Sequence, residues 1–174
     1  MKVEIRKLSR DDKPAVMELL RATSEFMPQE VLVAGEVIDC HLEDPVRSGY
    51  DVYVATVSGV LQGYVCYGLT PLTESTWDIY WIAVSSELQG HGIGRRLMSW
   101  AECRIEEGGG RMVLVETSSK PDYEKTRRFY RSLNYDAICE IADFYAPGDG
   151  KVVFQKKFNV CDDALRPNRC VDVE

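Results

Sequence analysis

Histidine is scarce: the chain has 2 among its 174 residues, and neither stands at ligand spacing from a cysteine. That removes the common zinc arrangements, which need close pairs of Cys or His. The 6 cysteines (40, 66, 103, 139, 161 and 170) form no CxxC or CxxH pair. Spread in this way they read as free thiols of a cytosolic protein, with Cys66, Cys103 and Cys139 inside expected strands or helices. No apolar run approaches the ~20 residues of a membrane span. The start, Met1 to Lys7, alternates charged and apolar residues and lacks the apolar core of a signal peptide. A cytoplasmic location is therefore expected, with no membrane partner and no metal. Positive charge is also in deficit, with 21 Lys and Arg against 28 Asp and Glu, a net charge of −7. Such a field repels nucleic acid and makes a cationic small molecule or peptide amine the easier partner. Repeats and low-complexity tracts are absent.

What is present is an ordinary globular composition, 45% hydrophobic and 28% charged, at a length that suits one domain. Val3, Ile5 and Leu8 mark a first strand near 2–8. Ser9 to Asp12 offers caps and Pro14 opens a helix with Val16, Met17, Leu19 and Leu20 as its stripe. A second helix is expected near 29–43. Asp51 to Val57 and Val60 to Leu69 form a hairpin around Ser58-Gly59, and Trp77 to Val84 is the next strand. Ile93, Leu97, Trp100, Ala101 and Ile105 keep a helical period that Gly108-Gly109-Gly110 ends. Met112 to Val115 is a strand closed by Glu116. Ser119 to Asp122 reads as a capping box before a helix bearing Tyr123, Thr126, Tyr130 and Leu133, with Asn134 at its end. Strands near 135–142 and 151–157 follow, joined through Pro147 to Gly150. The order is that of an α/β domain with a mixed sheet over 1–158, and 159–174 reads as an irregular tail.

Between the Trp77–Val84 strand and the helix lies Gln89-Gly90-His91-Gly92-Ile93-Gly94-Arg95. Glycines at alternate positions bare several backbone N–H groups at a helix N-terminus, where the helix dipole favours an anion, and Arg95 and Arg96 add charge. A phosphate or pyrophosphate is the expected guest. A Rossmann fingerprint needs a glycine where Arg95 stands, and a P-loop needs Gly-Lys followed by Ser or Thr. Both fail. If a helix joins parallel strands here, a site falls at their C-terminal ends, where Val84 and Glu116 sit.

Gln89, Gly92 and Gly94 resemble the acyl-CoA pyrophosphate loop of the GNAT superfamily of acetyltransferases. Ile82-Ala83-Val84 resembles its splayed strand, whose backbone pairs with pantetheine, and Phe129-Tyr130 with Leu133-Asn134-Tyr135 resembles its aromatic helix signature. The likeness covers about 2–157. It implies a mixed, mostly antiparallel sheet of about seven strands with flanking helices. It also implies a splayed parallel pair forming the CoA cleft. The implied activity is N-acetyl transfer from acetyl-CoA, as co-substrate, to a primary amine of a small molecule or peptide N-terminus, by direct attack. Ile82, Ala83, Val84, Gln89, Gly90, His91, Gly92, Ile93, Gly94, Arg95 and Tyr123 would hold the donor, with His91 contributing its backbone N–H. The chain departs from the pattern in having Tyr123 where the family often has Asn, Thr126 for Ala, and Asn134 for Gly.

Tyr130 is implied as the acid that protonates the departing thiolate. Glu116 and Asp78 compete as base, Asp78 through a water because its side chain is short. Glu25, Phe26 and Met27 fall where the family builds one acceptor wall, and Tyr145, in Asp143 to Asp149, resembles the aromatic hairpin of N-terminal acetyltransferases. Two other functions stand beside this one: an acyl-CoA-binding regulatory module without turnover, and a nicotinamide-dependent oxidoreductase. Monomer and homodimer are both open.

Overall fold

A computed structural model describes residues 1–158, so the expectation of an irregular tail over 159–174 lies outside the described residues. Strands β1 (Val3–Lys7), β2 (Tyr50–Val57), β3 (Val60–Leu69), β4 (Thr76–Val84), β5 (Met112–Ser118), β6 (Asp136–Ala146) and β7 (Asp149–Lys157) form one sheet. Its order is β1-β2-β3-β4-β5-β7-β6. Every neighbouring pair is antiparallel except β4 and β5, which run parallel. Five helices flank the sheet: α1 (Lys13–Ala22), α2 (Pro28–Glu43), α3 (Pro45–Ser48), α4 (Ile93–Glu107) and α5 (Glu124–Ser132).

Each face of the sheet carries its own core. On one, Ile93, Leu97, Met98, Ala101 and Ile105 of α4 pack with Val113, Val115, Tyr130 and Phe154. On the other, Val16 and Leu20 of α1 and Ala34 and Ile38 of α2 pack with Val52, Val54, Tyr64 and Cys66. The stripes expected for α1 and α4 are the ones buried here, because one stripe faces one layer. Helix α4 lies close on β3 at Gly63, where a Cβ would come within 2.9 Å of Leu97 Cδ1.

Local chemistry differs from expectation in several places. No capping box forms before α5; Ser119 Oγ instead accepts from Gly150 N at 2.8 Å, tying that loop to β7. Strands β6 and β7 extend further than the sequence suggested, to Ala146 and from Asp149, with the pairing interrupted between Ile141 and Ala146. Asp143 adopts φ 54° within that interruption, and its Oδ1 accepts from Gly148 N at 2.6 Å. Asn134 takes the left-handed conformation expected of it, with φ 64°. Cys40, Cys66 and Cys139 are free thiols, yet only Cys66 is buried. No helix of the described residues is long and apolar enough to cross a membrane.

Candidate active site

The parallel ladder between β4 and β5 is short. Thr76 pairs with Met112, Trp77 with Val113, Asp78 with Leu114 and Ile79 with Val115, and there it stops. Strand β4 runs on to Val84 while pairing only with β3, and β5 runs on to Ser118 while pairing only with β7. A bulge marks the place of parting. Cys66 faces Trp81 and Tyr67 faces Ile79, leaving Tyr80 as the extra residue of β4. A bulge bends and twists its strand, and this one turns β4 away from β5. It also shifts the alternation: Trp77 and Ile79 join the α4 core, Trp81 and Ala83 the α1–α2 core, and Ile82 and Val84 the α4 core again. The expected splayed pair is present, and its open edge includes Ile82, Ala83 and Val84.

The glycine turn sits at the end of β4. Gly90 and Gly92 have φ 81° and 86°, a region costly for residues with a Cβ. At Gly94 a Cβ would lie 3.3 Å from the Phe129 ring, a tighter approach than an ordinary contact. The first intrahelical bond of α4 runs from Arg96 N to Gly92 O, at 3.0 Å. The N–H groups of Ile93, Gly94 and Arg95 therefore have no acceptor inside the helix, and no side chain caps them. These donors and the dipole behind them suit a pyrophosphate, and the free edge of β4 suits an amide-rich arm, so the residues fit an acyl-CoA. His91 is exposed, with Nδ1 3.1 Å from Gln89 O.

Two cations differ from expectation. The Arg95 guanidinium bonds Ser132 O and Oγ at 3.3 and 3.1 Å, binding α4 to the end of α5 rather than facing the turn. Lys125, which the sequence reading missed, instead reaches the turn from the opposite wall. Its Nζ donates to Gln89 Oε1 at 2.7 Å, while Gln89 Nε2 donates to Val84 O at 3.3 Å. The signal was a lysine in the first turn of a helix, where the dipole disfavours a cation without another partner.

Tyr130 is 4% exposed and packs against Phe129, Tyr135 and Phe154. Burial pushes its phenol well above the ordinary tyrosine value, so it stays protonated near neutral pH. Asp78 and Glu116 share the other face of the sheet, since Asp78 pairs with Leu114 and Glu116 lies one strand repeat further on. Burial raises the Asp78 carboxyl above its usual range. The Thr70 hydroxyl, 2.5 Å away, pulls it back, and the Glu116 charge adds to the rise. Glu116 is exposed, and both its oxygens accept from Lys151 Nζ at 3.0 Å. That ammonium also lies 4.0 Å from the Phe144 ring centroid.

Of the expected acceptor residues, Glu25 and Tyr145 both lie close enough to Tyr123 to act on its phenol. Tyr145 stands on the hairpin of β6, half exposed and edge-on to Phe144. Burial raises its phenol, and the charges of Glu116, Glu30 and Asp149 add to this. Phe26 is partly buried against the α1–α2 core. Tyr123, expected among the pantetheine contacts, donates its hydroxyl to the backbone carbonyl of Glu25. Its phenol is pushed up to about 12, by burial first and then by Glu30, Glu25, Asp149 and Tyr145. Among the described residues, no group of three or more His, Cys, Asp or Glu side chains could hold a metal ion.

The family model described as an acetyltransferase (GNAT) domain matches residues 48–137. No curated protein matches the chain. Among solved structures, a GNAT-family protein from Desulfovibrio desulfuricans is 36% identical, with a TM-score of 0.86, over 90% of this chain and 99% of that one. The ribosomal-protein-S18-alanine N-acetyltransferase of Escherichia coli shares the fold at 15% identity and a TM-score of 0.75, over 95% and 99% of the two chains. An N-acetyltransferase of Thermoplasma acidophilum, solved in complex with coenzyme A, shares it at 16% and 0.72, over 91% and 100%. With a splayed parallel pair, a bare helix N-terminus behind a glycine turn, and these likenesses, the chain belongs to the GNAT acetyltransferase family.

Proposed function

We propose that this protein transfers the acetyl group of acetyl-CoA to a primary amine of a small molecule or peptide N-terminus, by direct attack within a ternary complex. The observation that carries this reading is the parting of β4 from β5 after Ile79 and Val115, beside the uncapped N-terminus of α4. Gln89, Gly90, His91, Gly92, Ile93, Gly94 and Arg95 would hold the pyrophosphate, Arg95 through its backbone N–H. Ile82 to Val84 would pair with the pantetheine arm. When bound, the donor supplies the thioester whose carbonyl the amine attacks.

The residues of this chain then manage protons. An amine must lose a proton to attack, and a lysine-type ammonium titrates near 10.4, so a base is required at neutral pH. Glu116 and Asp78 open on one face and serve that need, Asp78 through a water. Tyr130 keeps its proton because burial raises its phenol, and it supplies that proton to the leaving thiolate. Glu25, Phe26 and Tyr145 line the approach, where the carboxylates of Glu25, Glu30 and Glu116 favour a cationic acceptor.

A second reading, an acyl-CoA-binding regulatory module, draws support from one contact: both Glu116 oxygens are occupied by Lys151. Steady-state kinetics and calorimetry separate the two. Tyr130→Phe should lower kcat about 100-fold with coenzyme A affinity unchanged. Turnover retained in Tyr130→Phe removes the acid assignment, and coenzyme A binding without turnover of any amine by the wild type favours the regulatory module.

A further inference from the structure

Tyr123 is one of three places where the chain departs from its family's pattern, and it makes a long-range contact. Its residue lies in the 3-10 turn Pro121–Tyr123 leading into α5, on the β5 side of the cleft. Its hydroxyl donates to the carbonyl of Glu25, in the segment between α1 and α2. That segment has anchors of its own on the near side: Phe26 packs against the α1–α2 core and its N–H donates to Thr23 O at 3.2 Å. Thr23 Oγ1 bonds Leu19 O at 2.9 Å, which ties the segment to the end of α1. Glu30 Oε2 accepts from Met27 N at 2.7 Å, which fixes its entry to α2. Between these, Ser24 is exposed and Glu25 only partly buried.

The same segment also borders the open end of β4. A cavity of about 390 Å³ is lined by Thr23, Ser24 and Glu25 together with Val84, Ser85 and Gln89. Glu25 thus meets the donor side of the cleft on one flank and α5 on the other. The Tyr123 hydrogen bond is the link that carries the segment across the gap between the splayed strands. Nothing in regular secondary structure does so, because β4 and β5 no longer pair at this level.

We propose that Tyr123 is a positioning residue for the acceptor: its hydroxyl latches residues 23–27 over the cleft and so fixes the wall against which the amine is presented. This rests on the acetyl-transfer reading only for the identity of what is presented. The latch accounts for a tyrosine at this position, since the phenol spans the gap that a shorter side chain would leave open. It also keeps its proton at all working pH, because burial and the surrounding carboxylates push the phenol up to about 12.

The test is Tyr123→Phe, which keeps the ring and removes the donor. Amide hydrogen exchange over residues 23–27 should quicken, by about three- to tenfold for one lost hydrogen bond, with the rest of the chain unchanged. The acceptor KM should rise by a similar factor, with kcat and the Kd for coenzyme A within about twofold. Tyr123→His, which retains a ring donor of different reach, should recover neither. Unchanged exchange at 23–27 would overturn the latch. So would a loss of coenzyme A affinity with acceptor KM unchanged, which would make Tyr123 a donor-site residue. The exchange measurement needs no turnover, so failure to acetylate any amine would count against the acetyl-transfer reading and leave the latch to be judged on exchange alone.

Discussion

Asp78 and Glu116 are unequal candidates for the base, and their surroundings separate them. Burial holds the Asp78 carboxyl above its usual range, the Thr70 hydroxyl draws it down, and the Glu116 charge raises it again. If Asp78 takes the proton, Glu116→Gln removes a repulsive charge and favours the ionised form of Asp78. The acidic limb of kcat/KM then moves to lower pH and the plateau rate holds. Thr70→Val acts in the opposite sense, removing a stabilising donor and moving that limb to higher pH. If Glu116 is the base, Glu116→Gln lowers the plateau by about 100-fold and Thr70→Val leaves the limb in place. A pH–rate profile of the two variants decides between them.

At the scale of elements, three pieces of chain close on the glycine turn. Helix α4 supplies bare N–H groups, β4 supplies Val84 O to Gln89, and α5 supplies Lys125 to the other end of the Gln89 amide. Lys125→Gln should weaken coenzyme A about three- to tenfold, since one exposed ion contact is worth about 1 kcal/mol. It should also flatten the salt dependence of binding, as a screened charge is lost. Equal affinity and equal salt dependence in titration calorimetry would place Lys125 outside the phosphate site. Much of this architecture was legible in sequence. The 3.6-residue stripe of α4, the Ser58-Gly59 hairpin and the Gly108 to Gly110 stop all follow from local chemistry. The bulge at Tyr80 was not legible, because Trp77 to Val84 is apolar on both faces after residue 80 and its alternation hides the slip. The Lys125 to Gln89 and Tyr123 to Glu25 contacts were not legible either. They join segments distant in sequence that meet only when the sheet is complete.

On the scale of the whole molecule, the proposed reading divides two tasks between the faces of the sheet. The α4 core backs the donor turn and holds Tyr130, while the opposite face carries Asp78, Glu116 and the approach flanked by Glu25 and Tyr145. The parting of β4 and β5 joins the two. A net charge of −7 and a carboxylate-lined approach favour acceptors that carry positive charge. The most direct measurement is thiol release from acetyl-CoA, followed with mass detection of the product across polyamines, amino acids, aminoglycosides and short peptides of varied first residue. The account predicts thiol release that depends on the amine, matched mole for mole by N-acetyl product and strongest among cationic acceptors. Coenzyme A binding without amine-dependent thiol release across the whole panel would contradict it.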